Sequence, residues 1–239
     1  MRLAKQHLDI GIFTNRLDEQ LEFCQREVGL DLEEVLPLGG GNQQYRHAMN
    51  GSVFKLNASR DPVPAGSPSG YTSLIIARDG LTAPEALVDP DSNPVVLVPP
   101  GYDGITGIAV MVLAHDVPTS ARYYREVLGW EEAGDAPGNE GRRGARFRVG
   151  DSLLMLEQHP GPSSAERTGQ LRGLGYRYLT VQVWDVDEEH AGALARGATE
   201  GQVPRTLGTT ARISFLRDPD GNWLEVSQRA SLTGALPPG

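Results

Sequence analysis

The sequence predicts an α+β protein made of four related βαβββ-type units, the second of them abbreviated. Three observations predict it. The two halves of the chain fall into step when one is shifted by 100 residues, the mark of an internal repeat. Each copy reads as a β-branched-rich strand, an amphipathic helix and then further strands. Gly (29) and Pro (17) are both frequent, which fits many turns between short strands.

The repeat is one of residue class more than of letter. Residues 8–30 (LDIGIFTNRLDEQLEFCQREVGL) lie over 108–130 (IAVMVLAHDVPTSARYYREVLGW), and 46–57 over 146–157. Leu8–Phe13 and Ile108–Leu113 suit strands. The helix that follows carries an apolar stripe at Leu17, Leu21, Cys24 and Val28 in one copy and at Val117, Ala121, Tyr124 and Leu128 in the other. That spacing places each set on one helical face. Gly29 and Gly129 are expected C′ caps. Two strands then meet at Asn50-Gly51 and at Gly150-Asp151, where φ > 0 is easily adopted and a hairpin is expected. Val53–Leu56 and Leu153–Leu156 are the final strands of these units.

A second kind of unit follows each first one. Tyr176–Val183 reads as a strand, Asp187–Arg196 as a helix ended by Gly197, and Thr210–Leu216 and Trp223–Ser227 as strands joined by the turn Asp218-Pro219-Asp220-Gly221-Asn222. The shorter counterpart has a strand at Ser73–Ala77, about one helical turn at Ala83–Leu87, and the turn Asp89–Asn93 before a strand at Val95–Val98. The units span 7–58, 71–98, 107–158 and 176–228. Pro/Gly/Ser-rich connectors (59–70, 99–104, 158–175) separate them. Which unit pairs with which is open, an exchange between halves included.

Composition bounds the function. The chain is 39% hydrophobic and 22% charged, a globular balance. Lys plus Arg is 22 against 31 Asp plus Glu, a formal charge of −9. That sign argues against nucleic acid or an anionic membrane as partner, since phosphate binding needs a basic face. One cysteine, Cys24, excludes an internal disulfide and a multi-thiolate zinc site. No apolar run approaches the roughly 20 residues that span a bilayer. The basic start MRLAKQHLDIGIF has no signal-peptide apolar core, so the cytoplasm is the expected compartment.

Two runs, HDVPTSARYYREVLGW (115–130) and LRDPDGNWLEV (216–226), together with the paired strand–helix–strand units, resemble the vicinal oxygen chelate superfamily. That superfamily includes glyoxalase I, bleomycin-resistance proteins, fosfomycin-resistance enzymes and extradiol dioxygenases. The resemblance implies two tandem glyoxalase-like domains, a divergent one over 1–102 and one closer to pattern over 105–230, with 231–239 a tail. It implies that paired units curl mixed sheets around clefts. It also implies four metal positions per unit pair: a His or Gln early in each first strand and a Glu in each last strand. Residue by residue, these fall on Ala109, Glu157, Tyr178 and Glu225 in the second half, and on Asp9, Asn57, Ser73 and Val96 in the first. The imidazoles are missing. A soft-metal site needs three or four protein ligands with imidazole common among them, so no cofactor is expected. Glu157 and Glu225 remain as weak candidates for a divalent, hard cation such as Mg or Mn.

Two polar constellations are candidates for chemistry. In the second half, Glu157 and Glu225 would act as a carboxylate pair for acid/base work. Tyr178, Trp223 and Gln182 would bind substrate beside them. Trp184 and Tyr176 add to an aromatic cluster, and a cationic ligand would suit a cleft with a carboxylate. In the first half, Lys55, His47 and Asn57 would hold an anionic or carbonyl oxygen while Asp9 or His7 handles a proton. The plainer alternative is a structural Asp9–Lys55 ion pair with the histidines near water. His190 reads as exposed, Cys24 as buried hydrophobe, and the glycines at 39–41 lack the context of a phosphate loop.

The expected function is a glyoxalase-like lyase or isomerase working on a carbonyl or hydroxy compound without the usual metal centre. The alternative is a non-catalytic, drug-sequestering binder of the bleomycin-resistance kind. A third is an interaction module with one decayed domain. The expected partner is a small molecule, with the protein a monomer or homodimer.

Overall fold

The computed structural model describes residues 1–65, 68–134, 144–159 and 170–237. The connector residues 66–67 and 160–169 lie outside the described residues. Unit 1 runs β1 (Leu3–Thr14), α1 (Leu17–Glu22), β2 (Leu32–Gly39), β3 (Asn42–Met49) and β4 (Ser52–Ala58). Unit 2 has β5 (Tyr71–Ala77), β6 (Glu85–Val88) and β7 (Pro94–Val98). Unit 3 has β8 (Ile108–Ala114), α2 (Val117–Arg122), β9 (Glu131–Glu132), β10 (Gly144–Val149) and β11 (Ser152–Gln158). Unit 4 has β12 (Tyr176–Val183), α3 (Val186–Ala195), β13 (Thr199–Leu207), β14 (Ala211–Arg217) and β15 (Trp223–Arg229).

The repeat extends below the level of elements. Helix α1 loosens into a π-helical turn at Phe23–Glu27, and α2 does the same at Tyr123–Val127. Gly29 and Gly129 follow with φ of 77° and 73°. Asn50 and Gly51 turn the first hairpin at φ of 50° and 82°, as Asn-Gly does in tight hairpins. At the centre, Ser52 Oγ lies 3.3 Å from Ser152 Oγ.

Unit 1 pairs with unit 4, and unit 2 with unit 3. An eight-stranded sheet runs β13-β14-β15-β12-β1-β4-β3-β2, and a seven-stranded sheet runs β6-β7-β5-β8-β11-β10-β9. The seams are antiparallel: Asp9 opposite Thr180 in one, Leu74 opposite Val110 in the other. Each sheet therefore draws strands from both halves of the chain. Strand alternation decides what each face carries. Leu8, Ile10 and Ile12 of β1, and Leu179, Val181 and Val183 of β12, enter one large core shared with Val110, Val112, Leu154 and Leu156 of the other sheet. The opposite face of the eight-stranded sheet takes Asp9, Lys55, Asn57, Tyr178 and Glu225. The opposite face of the seven-stranded sheet is apolar, with Ala109, Leu153 and Met155 packed together beside Val96 and Met111.

Two expectations are corrected here. Residues 83–87 form no helical turn. Five residues are too few to repay helix nucleation, and Glu85–Val88 instead pairs as an edge strand with β7. His190 is 4% exposed, its Nδ1 2.9 Å from Ser214 Oγ and its Nε2 3.1 Å from Glu200 Oε2.

Candidate functional site

Because units 1 and 4 share a sheet, parts of the two polar constellations expected in separate halves come together. Their floor lies in a hollow of about 610 Å³ on the open face of the eight-stranded sheet. Lys55 and Asn57 of β4, Tyr178 and Gln182 of β12 and Glu225 of β15 all line it. The ammonium of Lys55, 2% exposed, donates to Thr180 Oγ1 at 2.6 Å and to Glu225 Oε2 at 2.8 Å. Thr180 Oγ1 donates to the same Glu225 oxygen at 2.8 Å. Burial pushes the Lys55 ammonium below its ordinary range, while Glu225 and Asp9 pull it back up.

Asp9 lies beneath this floor, fully buried. Lys5 Nζ donates to its Oδ1 at 2.7 Å, the Val53 amide to the same oxygen at 2.9 Å, and Gln182 Nε2 to Oδ2 at 3.3 Å. Burial pushes the Asp9 carboxyl upward, and the charges of Lys5 and Lys55 outweigh it, leaving it below the usual range. Asp9 is thus bonded to Lys5, and the structural ion pair expected between Asp9 and Lys55 is instead Lys55 with Glu225. Gln182 Oε1 accepts no hydrogen bond among the described residues, although Gln182 is 1% exposed.

Asn57 donates to the Ile12 carbonyl at 2.7 Å and to Tyr178 Oη at 3.0 Å, and accepts from Gln44 Nε2 at 2.9 Å. Burial raises the Tyr178 phenol well above its ordinary value. Gly11 makes room for that ring. A Cβ there would lie 2.3 Å from Tyr178 Cζ. Phe13 and Phe215 pack on the ring at 6.2 and 6.0 Å between centroids.

The remaining predicted residues fall elsewhere. Glu157 is on β11 of the other sheet, so it forms no acid/base pair with Glu225; the exchange of units separates them. His47 is opposite Phe54 across β3 and β4, so alternation turns it away from Lys55 into the core. It is fully buried, neither ring nitrogen is bonded among the described residues, and burial lowers its pKa to about 4. His7 lies outside the hollow, its Nε2 3.7 Å from Asp151 Oδ2, because the long β1 runs past the floor toward the Gly150-Asp151 turn. Trp223 stands behind the wall, edge-on to Phe215 at 5.7 Å with Arg217 over its ring, and does not line the hollow. Trp184 is exposed and Tyr176 is in the main core.

The residues that sequence reasoning missed are cationic. Arg46, Arg172, Arg205 and Arg229 line the hollow with Lys55, against the single carboxylate of Glu225 among the described residues. Arg46 was legible as a partner of Lys55 across β3 and β4, but Arg229 and Arg205 come from a unit assigned to a separate cleft. This lining removes the basis for a cationic ligand.

A divalent metal does not fit either set of family positions. In the eight-stranded sheet, Glu225 and Asp9 each hold an ammonium, Asn57 spends its amide on the backbone and Tyr178 is a neutral phenol. In the seven-stranded sheet, Ala109, Val96 and Ser73 supply no carboxylate or imidazole to join Glu157. Among the described residues, no group of three His, Cys, Asp or Glu side chains converges. No helix among them is long and apolar enough to cross a membrane.

The fold has close counterparts. Glyoxalase I from Zea mays superposes with a TM-score of 0.72 at 16% identity, covering 95% of this chain and 92% of that one. A putative dioxygenase from Bacillus subtilis superposes with a TM-score of 0.65 at 15% identity, covering 100% and 87%. A search of curated protein sequences returned no match. The model of the Glyoxalase/Bleomycin resistance protein/Dioxygenase superfamily matches residues 108–226, which span units 3 and 4 on two different sheets. With that match and the repeated units around a sheet-lined hollow, the chain belongs to the Glyoxalase/Bleomycin resistance protein/Dioxygenase superfamily.

Proposed function

We propose that the hollow of the eight-stranded sheet binds a small organic molecule without a metal, and that capture rather than turnover is its task. The observation that carries this reading is the pairing of the floor. Glu225 is held by Lys55 and Asp9 by Lys5. A general base needs a lone pair free for the substrate proton, whereas a binding floor needs fixed, oriented groups. The volume, about 610 Å³, suits a drug-sized ligand, whose sites run roughly 300–1,000 Å³. The Gln182 carbonyl, buried and without a donor, supplies a specific point for a ligand N–H or O–H.

One observation favours a second reading, a lyase or isomerase acting on a carbonyl compound. Both hydrogen bonds received by Glu225 fall on Oε2. Its Oε1 would take a proton while the third N–H of Lys55 holds the carbonyl oxygen. The two readings part on one experiment. A thermal-shift screen of aldehydes, hydroxy acids and aromatic antibiotics identifies ligands, since one present at 100 Kd stabilises the fold by about 2.7 kcal/mol. Hits are then incubated in deuterated buffer and followed by proton NMR. Binding without deuterium exchange or product is expected. Exchange that Glu225→Gln abolishes would replace capture by catalysis.

A further inference from the structure

We infer that Arg46 and Arg229 form an anion site in the hollow, that the Glu34 side chain is its built-in occupant, and that the carboxylate of an amphipathic organic acid takes its place. This rests on the small-molecule reading above and names the class of ligand.

The two guanidinium groups come from opposite ends of the repeat. Arg46 is on β3 of unit 1 and Arg229 ends β15 of unit 4, and both line the hollow. Their side chains are 8% and 13% exposed, while that of Glu34 is 39% exposed. Arg46 Nε is 3.3 Å and Arg229 Nη2 3.0 Å from the same oxygen, Glu34 Oε2. Neither contact is the parallel two-bond fork that makes arginine–carboxylate pairing strong. Each guanidinium has five N–H donors. Arg46 spends one more on Gln44 Oε1 at 2.8 Å. Asp9 and Glu225 also act on the Arg46 charge, but the one carboxylate in contact with both guanidinium groups is Glu34, and it is loosely held.

Glu34 is also free to leave. It sits on β2, the outermost strand, bonded on one side only, with a register irregularity between Leu32 and Glu34. Its departure breaks no ladder on the open edge. The same strand supplies Leu36 and Leu38 to the wall of the hollow. Phe13, Ile213, Phe215 and Leu207 face them as an apolar lining. An acid with its carboxylate on the arginine pair would lay its apolar body there. The net charge of the chain is −9, so this cationic hollow stands against the sign of the rest of the molecule.

The test uses 2-naphthoate and its neutral amide, 2-naphthamide, titrated calorimetrically into the intact chain and into Glu34→Gln and Arg229→Gln. A charge-assisted pair gained by the carboxylate should favour naphthoate over naphthamide by about tenfold. Glu34→Gln should tighten naphthoate by about tenfold and leave naphthamide unchanged, because a competing conformer has been removed. Arg229→Gln should erase the preference. Glu34→Ala, with a urea midpoint for each variant, guards against an effect of folding. Equal affinities for both probes in all three proteins overturn the anion site while the small-molecule reading stands. Naphthoate failing to bind Glu34→Gln also overturns it, and naphthamide failing with it counts against the small-molecule reading as well.

Discussion

Lys55 brings a full positive charge to the floor of the hollow, where Thr180 and Glu225 receive it. Removing one member of such a buried pair strands the other, at a cost of about 3–5 kcal/mol, whereas an apolar replacement of both is often near neutral. Lys55→Met should therefore cost several times more in urea unfolding than the double substitution Lys55→Met with Glu225→Leu. Additive losses would mean that the two charges do not compensate each other. His47 makes a second prediction. Its folded pKa is depressed to about 4 from 6.5 by burial. Its contribution is present in full above pH 6.5 and is lost as pH falls toward 4. Between pH 7.5 and pH 5 this amounts to about 2 kcal/mol. His47→Leu should remove that part of the acid sensitivity, measured as the difference in unfolding free energy between the two pH values, and a variant as acid-sensitive as the parent would contradict the assignment. At this scale the sequence was half readable. Strand parity correctly grouped Lys55 with Asn57, and Tyr178 with Glu225. The same parity sets His47 against them, one residue on from Arg46. Trp223 shares the parity of Tyr178, but it packs edge-on to Phe215 and beneath Arg217, a placement that no local pattern encodes.

Strands and helices were legible where a period or a turn marks them. The apolar stripes of α1 and α2, the strand Tyr176–Val183 and the Asn50-Gly51 hairpin needed only local rules. Strand β2 carried no such mark. Most of it is exposed, so its sequence shows no alternation strong enough to read, and the helical turn expected at residues 83–87 gives way to a strand because a short segment takes whatever pairing is on offer. The π-helical turns ending α1 and α2 recur 100 residues apart, each followed by a glycine at positive φ, so they belong to the repeated unit. The seam between β1 and β12 imposes a tighter demand. Gly11 is opposite Tyr178, and a Cβ there would sit 2.3 Å from the ring. Gly11→Ala should lower stability by about 1–3 kcal/mol, the usual cost of overpacking, and push the ring into the hollow. Adding Tyr178→Ala should return part of that loss. A pair of substitutions whose costs simply add would show that the ring and the strand do not press on each other.

The whole molecule is interlocked in two directions. Along the chain, the helices of units 1 and 3 are each tied to the acidic turn of the next unit. Gln20 Nε2 donates to Asp89 Oδ2 at 2.9 Å, and Tyr124 Oη to Asp218 Oδ2 at 2.8 Å. Across the chain, the sheets join unit 1 to unit 4 and unit 2 to unit 3. Burial raises the Asp218 carboxyl to about 6, while the hydrogen bonds it accepts from Asn222 and Tyr124 pull it back toward the charged form. The repeat revealed the units and left their pairing open, because equivalent strands present equivalent edges and only the full assembly selects between them. The consequence is that neither half contains a whole sheet. Residues 1–102 carry four strands of one sheet and three of the other, and each set ends at an unpaired seam, β1 or β5. Such edges template pairing with whatever strand is present. Expressed separately, residues 1–102 and 105–239 should each lack a cooperative urea transition as monomers. Mixed, they should recover the near-ultraviolet dichroism of the intact chain as a one-to-one complex by gel filtration. A second half that unfolds cooperatively as a monomer would show that a sheet closes without strands from its partner half, and that the hollow is not the joint product of units 1 and 4.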